Sequence, residues 1–241
     1  MALRMTPMDR TRSLLLVAAT LAFGVAPFIT APFDGYDPGM FPVRVERPYI
    51  QPAGYAFAIW SLIYIWLFAH ALFGAWKRAE DPAWDRVRWP MIISVGIGAV
   101  WLAIAGTSPI LATITIWIMA LAAITALLRA DTAVDRWMLS APVAILAGWL
   151  SAAAAVSLGV VLAGFGLLDN TASAGAMLAL VLAIAVTVQM RVPRMPVYGL
   201  TVIWALAGVV AINAADAVTV AVMAASGIVV MAVTLWSARK T

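Results

Sequence analysis

The chain reads as an all-α, polytopic transmembrane helical bundle of about eight helices, and three observations carry that expectation. Hydrophobic residues make up 65% of the 241 and charged residues 11%, where a soluble domain carries about 25% charged residues. One soluble core of this size could not hide so much apolar surface, which excludes a water-soluble enzyme. Apolar runs of roughly 20 residues, the length that crosses a hydrocarbon core, recur at 13–33, 53–76, 90–106, 109–128, 139–168, 171–190, 197–215 and 217–238. With the N-terminus in the cytoplasm, all but two of the 15 Lys and Arg fall on the inner side, from Arg4, Arg10 and Arg12 to Arg239 and Lys240. Only Arg44 and Arg47 remain outside. This asymmetry is the one expected of a multi-pass protein with both termini cytoplasmic, in a bacterial-type inner membrane.

The first run follows a basic stretch like a signal-peptide n-region. It is long for such a segment and continues into Pro-rich sequence, so a retained anchor is expected. Residues 33–52 form the long extramembrane loop, with Pro38, Pro42, Pro48 and Pro52 among Tyr36, Phe41 and Tyr49. Its aromatic content favours an ordered flap. Asp34 and Asp37 read as solvated turn residues.

On the second span, Phe57, Trp60 and Tyr64 stand at i, i+3 and i+7 and share one helix face. His70, the sole histidine, lies with Trp66 and Phe73 on a separate stripe. It reads either as a structural hydrogen-bonding residue or as an axial ligand to a haem or chlorin metal. The third run is short and the fifth long. Between the third and fourth, Gly106-Thr-Ser-Pro109 predicts a helix stop, an N-cap and a first-turn proline, hence a tight hairpin. Helix five carries small residues every four positions, Ser151, Ala155, Gly159 and Ala163, for close packing inside the chain or across a dimer. Asn213 and Asp216, near the outer end of helix seven, are expected to cap or terminate it.

Trp76, Trp84, Trp89, Trp137 and Trp236 fall at inner boundaries as interface anchors. Trp101, Trp117, Trp149 and Trp204 lie deeper, where an indole N–H needs an internal partner or a ligand. The deep rings admit two readings, gap-filling between helices or enclosure of a flat apolar molecule. No Asp, Glu, Lys or Arg lies well inside these runs, which argues against a pump or ion-coupled carrier. It also leaves no candidate for acid–base catalysis. With no Cys and one His, thiolate nucleophiles and thiolate or His-cluster metal sites are excluded. The net charge of +4 suggests no nucleic-acid partner.

The stretch from Pro52 to Tyr64 resembles the signature of the TspO/MBR family, the tryptophan-rich sensory or translocator proteins. Pro52, Phe57, Trp60 and Tyr64 match, while Ala53 and Tyr55 replace a second Pro and a first Trp. Trp76 stands near the Trp that ends this helix in the family. Gly98 to Trp101 is similar to an N-x-x-W of the third helix, with Gly for Asn. Trp149 and Ala153 are similar to the W-x-x-x-A of the fifth, and Ser157 stands where Asn is frequent. The resemblance covers 13–168. It implies a five-helix core over 1–168 with the 33–52 loop covering an aromatic pocket, enlarged by three helices over 169–241. It further implies a hydrophobic planar ligand, most readily a tetrapyrrole (porphyrin, haem or chlorophyll-type), bound for sensing, regulation or trafficking. Phe57, Trp60, Tyr64, Trp101 and Trp149 would line the site, with no obligatory cofactor or metal and no enzymatic centre. The alternative is a non-catalytic accessory subunit docked to a larger, pigment-bearing membrane complex. Homodimerisation stays open.

Overall fold

The computed structural model describes residues 8–239; Arg4 and Lys240, two of the basic residues behind the expected topology, lie outside the described residues. Among the described residues there are eight helices long and apolar enough to span a membrane, and no strand. They are α1 (Met8–Ile29), α2 (Ile59–Lys77), α3 (Pro82–Ala105), α4 (Pro109–Arg129), α5 (Ser140–Gly164), α6 (Asn170–Arg191), α7 (Pro196–Asn213) and α8 (Val218–Ala238). The protein is an integral, multi-pass membrane protein.

Local chemistry explains the boundaries. Ser108 accepts a hydrogen bond from the Leu111 N–H ahead of Pro109, so the tight α3–α4 hairpin forms as expected. Asp81 caps α3 in the same way ahead of Pro82, and the helix therefore starts eight residues before the apolar run. That early start draws Arg88 into a helix, where it is 1% exposed. Its guanidinium is held by Asp85 one turn earlier at 3.2 Å and by the Arg78 carbonyl at 2.7 Å. At the other extreme, α5 ends at Gly164, short of residue 168. Gly166 takes φ +70°, a left-handed turn suited to glycine, and Asp169 then caps α6. The second span opens as a 3₁₀ turn, Gly54–Ala58, so Phe57 precedes the α-helix that carries Trp60 and Tyr64. The shared helix face therefore holds for those two residues only.

Neighbouring helices follow the order α1, α2, α5, α4, α3 and back to α1, a closed ring. On the far side of α5, helices α6, α8 and α7 return to α5 and close a second ring. Helix α5 is thus the shared wall, and its small residues allow that approach. Ser151 meets the Tyr198 hydroxyl of α7 at 3.1 Å, and Ser173 of α6 donates to the Gly159 carbonyl at 2.7 Å. The small-residue stripe is consumed inside the chain. The buried interior runs without a break from Leu16 on α1 to Met231 on α8, so 169–241 is no detached annex.

One end of the bundle carries the 33–53 loop, hereafter the loop end; the opposite, basic end is knitted by ion pairs. Arg12 of α1 reaches Asp85 of α3 at 2.6 Å, and Arg78 after α2 reaches Asp135 before α5 at 2.7 Å. Trp84 corrects the sequence reading. It is 1% exposed, stacks on the His70 ring and donates its indole N–H to Asp135 at 2.9 Å. Trp76, Trp89, Trp137 and Trp236 are exposed, as interface anchors are.

Asp135 sits at φ +43°, a left-handed conformation that Asp and Asn tolerate. The Arg78 guanidinium, helped by the Trp84 N–H, holds its carboxyl below the usual aspartate value of 3.8. A depressed folded-state value gives stability that is complete above about pH 4 and lost as pH falls further. Asp135→Asn keeps the backbone and removes the charge. Its melting temperature is expected to lie below that of the wild type at pH 7, with the gap closing toward pH 3 in parallel thermal melts.

Candidate functional site

Under the loop, the five-helix ring encloses a cavity of about 410 Å³. Each helix of the ring contributes to its wall: Phe23 from α1, Trp60 and Tyr64 from α2, Trp101 from α3, Ile116 from α4, Trp149 from α5. Phe57 of the 3₁₀ turn and Phe33, Gln51 and Pro52 of the loop complete it. All five aromatic residues expected at a site thus border one space.

The rings meet at their edges around the space and do not fill it. Trp60 stacks on Tyr64 with centroids 5.3 Å apart and an interplanar angle of 20°. Trp149 stands edge-on to Trp60 at 6.1 Å and to Phe57 at 5.6 Å. Such edge-to-face contacts suit the ring quadrupoles. Trp149 is 2% exposed and borders both the main cavity and a second hollow of about 100 Å³ that extends toward Leu178 of α6 and Val202 of α7. Its indole N–H has no protein acceptor, nor has that of Trp117, which is not part of the main cavity wall. Trp101, by contrast, is pinned by an N–H bond to the Ala112 carbonyl at 2.9 Å. Trp204 lies outside, 40% exposed, with its N–H on the Ala56 carbonyl.

Two aromatic residues of the wall were not among the expected site residues, Phe23 and Phe33. Phe23 packs edge-on against both Trp60 and Tyr64, at 5.8 and 5.1 Å. The space for its ring comes from Gly98, where a Cβ would lie 2.6 Å from it. The position that resembled a family Asn is therefore filled from another helix. A phenylalanine on an apolar span gives no sign of this, because the vacancy belongs to α3. Phe33 stands edge-on to Trp101 at 5.3 Å and to Tyr36 at 5.4 Å, continuing the ring system into the loop.

The loop is an ordered cover, as its aromatics suggested. The Tyr36, Ser157 and Thr113 hydroxyls form a chain at 2.6 and 2.7 Å that ties it to α5 and α4. Burial pushes the Tyr36 phenol above its ordinary value of 10.0, so it stays a neutral donor or acceptor. Ser157, at the other frequent Asn position, thus spends its hydroxyl on the cover. The Val43 N–H donates to the Gly164 carbonyl at the end of α5 at 2.8 Å, and further ties run to α6 and α7: Asn170 brackets residues 47–49, and the Ala53 N–H donates to the Gly208 carbonyl at 3.0 Å. Gly208 permits this, since a Cβ there would lie 2.8 Å from Pro52. Asn213 ends α7 as expected, its amide donating to the Val209 carbonyl one turn back at 2.9 Å; it is also fully buried and donates to the Tyr49 carbonyl at 2.8 Å, so it holds the loop as well. Asp216 pairs with Arg47.

His70 is not among these residues. It is 1% exposed near the basic end, with Nδ1–H on the Met138 carbonyl at 2.7 Å and its ring 4.9 Å from that of Trp84. With Trp66, which donates to the Trp137 carbonyl, it seals α2 against the chain entering α5. That burial turns the ring away from lipid, from which an external metal macrocycle would have to approach.

A family model described as TSPO-like protein matches residues 12–236, across all eight helices. No curated protein and no solved structure matches the chain.

Proposed function

From a chain that belongs to the TSPO-like protein family, we propose an integral membrane receptor for a hydrophobic planar ligand of the tetrapyrrole class, held for sensing, regulation or trafficking and not for catalysis. One observation carries the reading: rings from four of the five helices border a common space of about 410 Å³, whereas rings that serve packing alone would interlock. That volume lies within the roughly 300–1,000 Å³ of small-molecule sites. Flat π-faces on Trp60, Tyr64 and Trp149 suit a planar conjugated guest. Residues 1–168 supply most of the wall, and 169–241 brace the cover through Asn170, Gly208 and Asn213. The loop end faces outward and both termini lie in the cytoplasm of an inner membrane, the arrangement that the positive-inside rule favours for the basic end.

Titration of the purified protein with a porphyrin, as free acid and as ester, is expected to quench tryptophan fluorescence saturably with at least one form. Trp60→Leu and Trp149→Leu should each weaken binding about tenfold or more, about 1.4 kcal/mol. Trp204→Leu, outside the cavity, should leave it unchanged. Saturable quenching indifferent to both cavity variants overturns the reading.

A further inference from the structure

We infer that the cavity selects a macrocycle whose acid groups are esterified or absent and discriminates against the free dicarboxylate; this rests on the ligand reading above and narrows it. The wall is aromatic and aliphatic except at the mouth, and among the described residues that form it Asp34 is the one charged side chain. No Lys, Arg or His of those residues faces the space.

A carboxylate taken out of water is tolerated only where a cation or several donors receive it, and an uncompensated one costs several kcal/mol. The donors here are few. Gln51 offers a side-chain amide that already bonds the Asp34 carbonyl at 3.2 Å, and the Trp101 N–H is occupied by Ala112. Among the described residues the Trp149 and Trp60 N–H groups and the Tyr64 hydroxyl carry no hydrogen bond in the fold, but all three are neutral donors and none replaces a counter-ion for a dianion.

Turning the ligand so that its acid edge points outward does not relieve the problem. Glu46 is paired with Arg44, so the hollow above the mouth is bordered by the carboxylates of Asp34 and Asp37, which have no ion-pair partner among the described residues, by the already paired Glu46 and by one cation, Arg47. That guanidinium is engaged by the Ile212 carbonyl at 2.8 Å and by Asp216 at 3.3 Å. A dianionic edge therefore meets like charge at the opening, within the range where about 8 Å of screening length leaves the repulsion felt. Of porphyrin, haem and chlorophyll-type ligands, the charge of the wall and mouth suits those whose acid groups are esterified, as in a chlorophyll-type macrocycle.

The experiment compares protoporphyrin with its dimethyl ester at pH 8 in the same detergent, by saturable tryptophan quenching, in the wild type and in Asp34→Lys. Asp34 is an exposed loop residue whose side chain carries no hydrogen bond in the fold, so the charge reversal leaves the structure in place. The ester is expected to bind about tenfold or more tighter than the free acid, and the lysine should close that ratio severalfold. Equal affinities, or a tighter free acid, overturn the inference while leaving the ligand reading intact. An ester preference unchanged by Asp34→Lys also overturns it, because discrimination would then owe nothing to charge at the mouth. Failure of both forms to bind removes the ligand reading and this inference together.

Discussion

Trp84→Ala is expected to lower the thermal midpoint by about 6–20 °C, the consequence of removing a buried Trp worth about 3–5 kcal/mol in a chain of this size. The same substitution at Trp76 should shift it by about 2 °C or less. Both residues sit at the basic end of the bundle and look alike in sequence. Trp84 is 1% exposed, stacks between His70 and Phe73 and donates to Asp135. Trp76 is 82% exposed and touches the Lys77 ammonium, 4.2 Å from its ring. Alanine at 84 leaves a void beneath α2 and an acceptor without its donor, whereas alanine at 76 exchanges protein contact for lipid. Thermal melts of both variants in one detergent decide the matter; coincident midpoints would contradict the burial assigned to Trp84.

Gly98→Asn carries the second large effect. The new Cβ would start 2.6 Å from the Phe23 ring and 3.0 Å from Met119. Phe23 cannot retreat without leaving Trp60 and Tyr64. Overpacking of this kind costs about 1–3 kcal/mol, and the displaced ring should enter the cavity and weaken porphyrin quenching. Phe23→Ala alone is expected to cost about 3–5 kcal/mol. The double variant should be more stable than additivity predicts by about 1 kcal/mol or more, because the asparagine enters space that the phenylalanine has vacated. Strict additivity would show that the two positions do not share that volume.

These residues also mark how much could be read in advance. Phe57, Trp60 and Tyr64 were legible from their spacing on one apolar run, whereas the family resemblance is what singled out Trp101 and Trp149 among the deep indoles. All five border the cavity. Phe23 was not legible, since nothing near it in the chain distinguishes a wall residue from a lipid-facing one; Phe33 opens the loop expected to cover the pocket, but only the fold puts its ring into the wall. Trp84 was misread for a related reason. Position along a span reports depth in the membrane, but not which side of the helix a neighbour covers. Asn213 was legible as the end of a helix, but not as a tie to the loop, because its partner Tyr49 lies 164 residues away in the chain.

Span number and length, the hairpin at Ser108, the single long loop and the depth of each indole follow from chain order, because hydropathy, capping and proline geometry act over a few residues. Helix neighbours do not follow from it. In lipid the outward and inward faces of a helix are similarly apolar, so hydrophobic patterning names no partner, and contact shape has to choose one. That choice made α5 the wall between two rings, seated Phe23 in the notch at Gly98, buried Trp84 and turned α6 and α7 into an anchorage of the loop. A cavity is a property of those distant contacts, and it exists only once they have formed.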